Sequence, residues 1–370
     1  MSISVENDFS LAYDKVTNKK EIDDMSLKMA IIGFGKSTNR YHLPYLKQRK
    51  NIEVKYIYNH RRHEDRETQY AGLGIRFTTD LNEVLNDDEV QLVTICTPAD
   101  THFDYAKQVL EHGKNVLVEK PFCKTVMETK QLLTLANQRH LIAMPYQNRR
   151  FDSDYLTLKE VLDRGYVGEP LEIESHMDKY RPDKAIHTGD KINGTFYGLG
   201  IHMLDQMVAI FGRPQAAAYD IRTIQNEEST LDDYYQVDLH YGKLKVTVKT
   251  NPLVAAPYPR FIVHGTNGSY LKYDIDQQEN DLKLGIMPGD THFGQDTPDK
   301  YGRVKYHNQN GDWIEKQIPS LQGDYGRIYD SLCDSILNGK EKLVSDAQTL
   351  LDISILESGI QQPTPSVVHF

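Results

Sequence analysis

Six short apolar runs, at 29–32, 53–58, 75–77, 91–96, 115–118 and 141–145, alternate with helical patterns near 41–50, 63–71, 80–86, 99–112 and 124–138. Strands separated by helix-length segments cannot close as hairpins, so each must cross over to a parallel neighbour. That rhythm predicts an α/β unit, a Rossmann-type doubly wound parallel sheet over residues 25–150. Asp80 is placed to cap a helix start, and Gly113 to close a helix end. After Arg150 the rhythm changes. One helix near 153–164, closed by Gly165, leads into longer strand candidates at 170–178, 215–223, 233–241, 243–250 and 260–265. Tyr241-Gly242-Lys243 and Thr266-Asn267-Gly268-Ser269 separate alternating runs as hairpin turns do. Residues 151–370 are therefore expected to form an α+β domain on a mostly antiparallel sheet. Its helices fall over 198–211, 324–338 and 346–360, with an irregular excursion over 280–302.

Open α/β sheets keep their chemistry at the carboxyl ends of the strands, and three of these runs end in polar or glycine signals. Met29-Ala30-Ile31-Ile32 runs into Gly33-Phe34-Gly35-Lys36-Ser37-Thr38. The first glycine permits a tight turn, and the second lets backbone N–H groups approach a pyrophosphate at the following helix start. Thr38 holds the third small position. Leu92-Val93-Thr94-Ile95-Cys96-Thr97-Pro98 ends a second run, and Asn115-Val116-Leu117-Val118 leads directly into Glu119-Lys120-Pro121, where a lysine can face a bound cofactor. The strand before Tyr58-Asn59-His60-Arg61-Arg62 ends where an adenosine ribose is expected. No Asp or Glu stands there to accept the ribose 2′-OH, whereas Arg61 and Arg62 can meet a 2′-phosphate. NADP(H) is thus expected ahead of NAD(H), and a nicotinamide-dependent oxidoreductase is the leading reading.

Composition excludes other classes. With a formal net charge of −10 and a pI near 5.8, the chain has no global basic field for nucleic acid, and His60-Arg61-Arg62-His63 is a local cluster. No window approaches the roughly 18 apolar residues of a spanning helix. Cys96, Cys123 and Cys333 are odd in number and lack metal-type spacing, which points to a reducing, cytoplasmic setting without disulfides. His60 and His63 have no third ligand nearby, so no metal is assigned. Residues 1–24 lack a secretory core and read as an N-terminal extension.

Joined to Thr97-Pro98-Ala99-Asp100-Thr101-His102 and Glu119-Lys120-Pro121, the glycine turn resembles the Gfo/Idh/MocA family, named for glucose-fructose oxidoreductase and inositol dehydrogenase. The resemblance runs through Tyr146-Gln147-Asn148-Arg149-Arg150-Phe151-Asp152, Arg164-Gly165-Tyr166-Val167-Gly168-Glu169-Pro170 and Gly200-Ile201-His202-Met203-Leu204-Asp205, nearly the whole chain after Leu27. In Phe34-Gly35-Lys36-Ser37-Thr38, Tyr197-Gly198-Leu199-Gly200 and Gly323-Asp324-Tyr325-Gly326-Arg327 it is similar to an oxidoreductase subgroup of enteric bacteria.

The resemblance implies a cofactor groove formed by Gly33, Phe34, Gly35, Lys36, Ser37, Thr38, Asn59, Arg61, Arg62, Thr97, Pro98 and His102. Glu119 would orient the local backbone beside a cis bond into Pro121, and Arg150 would approach the nicotinamide end. Lys120 would bond both the substrate hydroxyl or carbonyl and the nicotinamide ribose, and stabilise alkoxide charge as hydride moves. His202 fits the proton donor and acceptor. Many members carry an aspartate four residues before this histidine, where this chain has Gly198. Tyr197, Tyr180 or Asp205 is expected to substitute unless Lys120 and His202 act alone. Tyr180, Arg181 and Tyr325 are further substrate-pocket candidates. The implied reaction interconverts a secondary alcohol and a carbonyl on a sugar, inositol or related polyol. The rivals are an NAD-dependent glycosidase of the same fold and a non-catalytic dinucleotide-sensing regulator, the latter disfavoured by the intact Lys120 and His202. A second sheet rich in Val, Ile, Leu and Tyr is expected to bury its open face in a homodimer or homotetramer.

Overall fold

The computed structural model describes residues 26–370, and the extension expected over 1–24 lies outside them. Six strands build the first sheet: β1 (Leu27–Ile32), β2 (Ile52–Tyr58), β3 (Arg76–Thr78), β4 (Leu92–Ile95), β5 (Asn115–Val118) and β6 (Ala143–Pro145). They run parallel in the order β3-β2-β1-β4-β5-β6. β1, β4 and β5 read as near-continuous aliphatic runs because helices cover both faces of such a sheet, and Ile31, Val93 and Leu117 are wholly buried. Strand order reverses between β1 and β4. The crevice at their carboxyl ends is therefore the topological switch point, where ligands of open α/β sheets bind.

The first crossover is helical over 36–46 rather than 41–50, because the helix starts directly on the glycine turn. Thr38–His42 within it is a π-turn. Asp80 caps its helix as expected, accepting from the Asn82 N–H.

The second sheet has nine strands: β7 (Pro170–His176), β8 (Ala216–Arg222), β9 (Tyr234–Tyr241), β10 (Leu244–Thr250), β11 (Phe261–Gly265), β12 (Gly268–Lys272), β13 (Gly302–His307), β14 (Trp313–Ile318) and β15 (Ser366–His369). Their order is β14-β13-β12-β11-β7-β10-β9-β8-β15, antiparallel throughout except for β7 beside β10. The hairpins at Gly242 and Asn267 join β9 to β10 and β11 to β12. β13, β14 and β15 go beyond the expected strands. β14 buries only Ile318 and β15 nothing, so neither shows clean alternation. The excursion expected over 280–302 is partly helical, since Gln277–Leu284 forms a helix that buries the polar Gln278, Glu279 and Asp281 beside a single apolar residue, Leu282.

One expectation about the second sheet is corrected. Its apolar side chains point inward: Ile173, Tyr235, Val237, Leu239, Val246 and Val248 are all wholly buried. The alternate positions, among them Glu172, Glu174, Gln236, Asp238, Lys245 and Lys249, keep accessible surface, and Lys245 pairs with Glu172 at 3.6 Å. The open face is thus mostly polar, with Leu271, Trp313 and Val367 as exposed apolar exceptions.

Two late helices hold the sheets together. Arg327–Asn338 returns to the first sheet and packs Ile328, Tyr329 and Leu332 against the cluster of Leu27, Met29 and Ile31. Asp346–Gln361, started by a Ser345 capping box, lies between the helices Val126–Gln138 and Ile201–Phe211. Beneath the second sheet, the buried Arg260 guanidinium donates to Asp154 Oδ2 at 2.8 Å, Ser175 Oγ at 2.6 Å and Gln206 Oε1 at 2.8 Å. One cation thereby links β7, the helix Ser153–Asp163 and the helix Ile201–Phe211. Replacing it would strand the Asp154 carboxylate without a counter-charge. Arg260→Met should cost about 3–5 kcal/mol in denaturant unfolding; a loss below about 1 kcal/mol would refute this bridging role.

Candidate active site

The glycine turn is shaped by contact with the neighbouring strand exit. Gly33 has φ +102°, and a Cβ there would sit 2.6 Å from Cys96 O and 3.2 Å from Thr97 Cγ2. Only glycine lets β1 turn so close to the end of β4. Thr38 closes the turn from within, its hydroxyl donating to Gly33 O at 2.7 Å. Phe34 is buried among Tyr70 and Phe77, so its side chain anchors the turn rather than meeting a ligand. Lys36 and Ser37 line the cavity, while a Cβ on Gly35 would enter open space.

At the β2 exit, Asn59 accepts from the Phe34 N–H at 3.3 Å and donates to Arg61 O at 2.8 Å, which fixes the turn beside the glycines. Arg62 is committed elsewhere. Its Nε lies 2.9 Å from both Glu67 oxygens. Arg61 has no ion pair among the described residues, and Arg66 reaches Phe34 O at 3.5 Å.

The β5 exit is organised by Glu119. One carboxylate oxygen accepts from the Ser37 hydroxyl and lies 2.9 Å from His42 Nε2; the other accepts from the Lys120 N–H at 3.1 Å. Burial opposes the charged carboxylate, but the His42, Lys120 and Ser37 interactions outweigh it and hold the group at about 2. The other His42 nitrogen lies 2.7 Å from Tyr329 OH. Lys120–Pro121 is a cis peptide bond. His102 is buried, its ring nitrogens 2.8 Å from Pro121 O and 3.0 Å from Thr97 O. It therefore ties two strand exits together and does not itself line the groove, a correction to its expected role.

Lys120 donates through Nζ to Gly198 O at 2.6 Å. Burial pulls its amine below the usual 10.5 against the favourable charge of Glu119, and Arg149 pulls the same way. Gly198 belongs to a second π-turn, Phe196–Gly200, immediately before the helix that carries His202. Both π-turns thus lie at the cavity, one supplying His42 and the other the Gly198 carbonyl. His202 lines the same cavity. Its Nδ1 is buried without a partner, and burial, then the charges of Lys120 and Arg149, hold the ring well below the usual 6.5. All three causes favour the neutral ring.

None of the three expected substitutes for an aspartate at 198 partners His202. The Tyr197 hydroxyl donates to Lys124 O at 3.0 Å, Tyr180 is exposed, and Asp205 is bound by Arg150. Arg150 itself is a correction. Its guanidinium grips both Asp205 oxygens at 2.7 and 2.9 Å and reaches Leu343 O at 2.9 Å, inside the structure. Tyr325 is buried and donates to Asp276 at 3.0 Å, away from the cavity. The residues missed are His42, Arg149, Lys179 and Glu279. Arg149 lines the cavity, held by Asp152 at 3.1 Å and Glu279 at 3.3 Å. The short 3₁₀ helix Asn148–Phe151 turns roughly 120° per residue, so adjacent arginines face different ways.

Lys36, Ser37, Thr97, Lys120, Arg149 and His202 surround a cavity of about 430 Å³ at the switch point. It continues past Arg149, Lys179, Leu199 and Glu279 into a second chamber of about 340 Å³, where Arg181 lies. Among the described residues no group of three or more His, Cys, Asp or Glu is placed to hold a metal ion. No helix there is long and apolar enough to cross a membrane.

The same two units match known families. Residues 27–147 match the oxidoreductase family's NAD-binding Rossmann fold, and residues 159–366 its C-terminal alpha/beta domain. The chain is 48% identical to the oxidoreductase YhhX of Escherichia coli, over 93% of this chain and 99% of that protein. It is 30% identical to a scyllo-inositol 2-dehydrogenase (NADP(+)), IolW, of Bacillus subtilis, over 93% and 95%. A crystal structure of an oxidoreductase from Bacillus cereus superposes with a TM-score of 0.91 at 55% identity, over 93% of this chain and 99% of that one. With both domains matched in order around one cleft, the chain belongs to the Gfo/Idh/MocA family of oxidoreductases.

Proposed function

We propose that this chain is an NAD(P)-dependent dehydrogenase or reductase interconverting a secondary alcohol and a carbonyl on a sugar, inositol or related polyol. The reading rests on Lys120 and His202, which come from opposite sides of the chain's midpoint to line one cavity at the switch point. The B. subtilis relative, named for scyllo-inositol and NADP(+), supports the polyol class.

The residues present fit a dinucleotide. The open space over Gly35 and the first-turn N–H groups of the following helix would take the pyrophosphate, while Lys36, Ser37 and Thr97 line the same cavity. When bound, the nicotinamide supplies the hydride acceptor or donor. An ammonium has three donors, and Lys120 spends one on Gly198 O. The others can bond the reacting oxygen and stabilise its alkoxide charge. Neutral His202 accepts the alcohol proton in oxidation and returns it in reduction.

This assignment makes distinct demands on variants and on pH. Lys120→Met should abolish turnover yet bind dinucleotide, and His202→Asn should lower the rate by about 10²–10⁴. In oxidation His202 must be neutral, so activity is lost only as pH falls through its depressed pKa, below 6.5. Lys120 must be charged, so activity is lost as pH rises through its depressed pKa, below 10.5. Near-wild-type turnover of Lys120→Met in a spectrophotometric assay, or an acid limb above 6.5 that His202→Asn leaves in place, would sink the mechanism.

NADP(H) is proposed ahead of NAD(H), because Asn59 replaces an acid at the β2 exit and Arg61 stands unpaired there. With Arg62 held by Glu67, Arg61→Ala should weaken NADP(H) binding more than Arg62→Ala does. Calorimetric titration decides this, and tighter NAD(H) binding would overturn it.

A homodimer or homotetramer is proposed through the open face of the second sheet. Its support is the exposed Leu271 and Trp313 on a polar face, a mixture ordinary for interfaces. Sedimentation should give a multiple of 42.5 kDa, and a monomer at micromolar concentration refutes it.

A further inference from the structure

The outer chamber is cationic in a chain whose formal net charge is −10. Arg149, Lys179, Arg181, Lys283 and Arg260 line it, the last already paired with Asp154 at 2.8 Å. Glu279 is shared, lying 3.3 Å from Arg149 Nη2 and 2.9 Å from Lys283 Nζ. Arg149 is also held by Asp152 at 3.1 Å, so Arg149 and Lys283 are both paired and, among the described residues, the free charge of the wall lies on Lys179 and Arg181. Among the described residues Lys179 and Arg181 have no ion pair; both are anchored by backbone bonds, to Asn251 O at 3.0 Å and Pro252 O at 2.8 Å. Asp178, which also lines the chamber, accepts from the Asn251 N–H at 2.7 Å and lies 2.9 Å from His176 Nδ1. The remaining acid is Asp274, exposed at the mouth. Crowding is felt within the cluster. Desolvation first, then the charges of Arg181, Lys283 and Arg149, push the Lys179 amine below its usual range. Like charges gathered in a concave wall raise the local potential and concentrate anions.

From this juxtaposition of cations along the cleft beyond Lys120, we infer that the substrate carries an anionic group, a carboxylate or a phosphate, seated between Lys179 and Arg181. The inference rests on the polyol oxidoreductase reading of the inner chamber and names its substrate class. The inner chamber takes the reacting hydroxyl or carbonyl at Lys120 and His202, and the anion at the far end fixes which carbon faces the nicotinamide. Arg149 and Lys179 border both chambers, which places the two side by side along the cleft, and the inferred substrate spans them.

The test uses the full chain loaded with NADPH and three probes of one carbon skeleton: glucose, glucuronate and glucose 6-phosphate. Calorimetry should show glucuronate or glucose 6-phosphate binding at least about tenfold tighter than glucose, the scale of one charge-assisted contact. Whichever anion wins distinguishes carboxylate from phosphate. Lys179→Met/Arg181→Met should erase the preference, and Lys243→Met, a charge removed from the distant β9–β10 turn, should keep it. Equal affinity for charged and neutral probes, including no measurable binding of any, overturns the inference, as does a preference that survives Lys179→Met/Arg181→Met. Nicotinamide absorbance in parallel samples loaded with NADP(+) separates the two claims. Charge preference without hydride transfer supports the anion site and counts against the oxidoreductase reading of the inner chamber, while hydride transfer without charge preference does the reverse.

Discussion

The cleft depends on one buried carboxylate. Glu119 gathers the Ser37 hydroxyl, the His42 ring and the Lys120 N–H, so the glycine-turn helix, the β5 exit and, through Tyr329, the late helix Arg327–Asn338 share one polar node. Desolvating a carboxylate is costly unless its lone pairs are filled, and here each oxygen has a donor. The benefit is geometric. Because Glu119 precedes Lys120 on a fixed backbone, whatever holds the carboxylate also fixes the direction from which the lysine enters the cavity. Its ammonium then meets a carbonyl from the other half of the chain, Gly198 O, which joins the two units across the site.

That arrangement sets the electrostatics of the cleft. Lys120 and Arg149 both act on His202, and among the described residues no carboxylate offsets them at the ring and its buried Nδ1 has no partner. The imidazolium is opposed by burial and by two cations at once. Under the proposed mechanism the histidine is a neutral acceptor, and Lys120 brings positive charge to the reacting oxygen.

The first sheet was legible because buried parallel strands announce themselves as aliphatic runs, and each functional exit follows such a run directly. Gly33, Glu119 and Lys120 could be placed by that logic. Residues whose role depends on which way a side chain turns could not. Arg149 and Arg150 are adjacent and chemically identical, and only the 3₁₀ turn sends one to the cavity and the other to Asp205. Tyr325 and His102 were read as lining and are instead buried ties, because sequence spacing does not reveal what lies on the far side of a loop. His42 carried a faint signal, a histidine four residues beyond Thr38 on the glycine-turn helix, but the π-turn that presents it has no sequence signature. The second sheet was legible at its centre and not at its edges, where β14 buries only its last residue and β15 none, so neither carries the buried face that marks a half-buried strand. Counting Val, Ile, Leu and Tyr also misjudged the open face, since composition does not say on which side of the pleat those residues fall.

Gly198 connects the missing acid to the surplus of cations. A side chain built there would enter open space, so the fold has room for the carboxylate that many family members carry, and this chain leaves it out. Glu119 beside Lys120, and Asp152 and Glu279 beside Arg149, offset part of the positive charge at the inner chamber, while Lys179 and Arg181 beyond it have no ion pair among the described residues. A carboxylate at 198 would raise the basicity of His202 and also repel any anion approaching along the cleft. Omitting it lowers the proton affinity of the histidine and spares the approach to Lys179 and Arg181 one further negative charge. The bare position beside His202 and the unpaired cations beyond it are thus two parts of a single electrostatic arrangement.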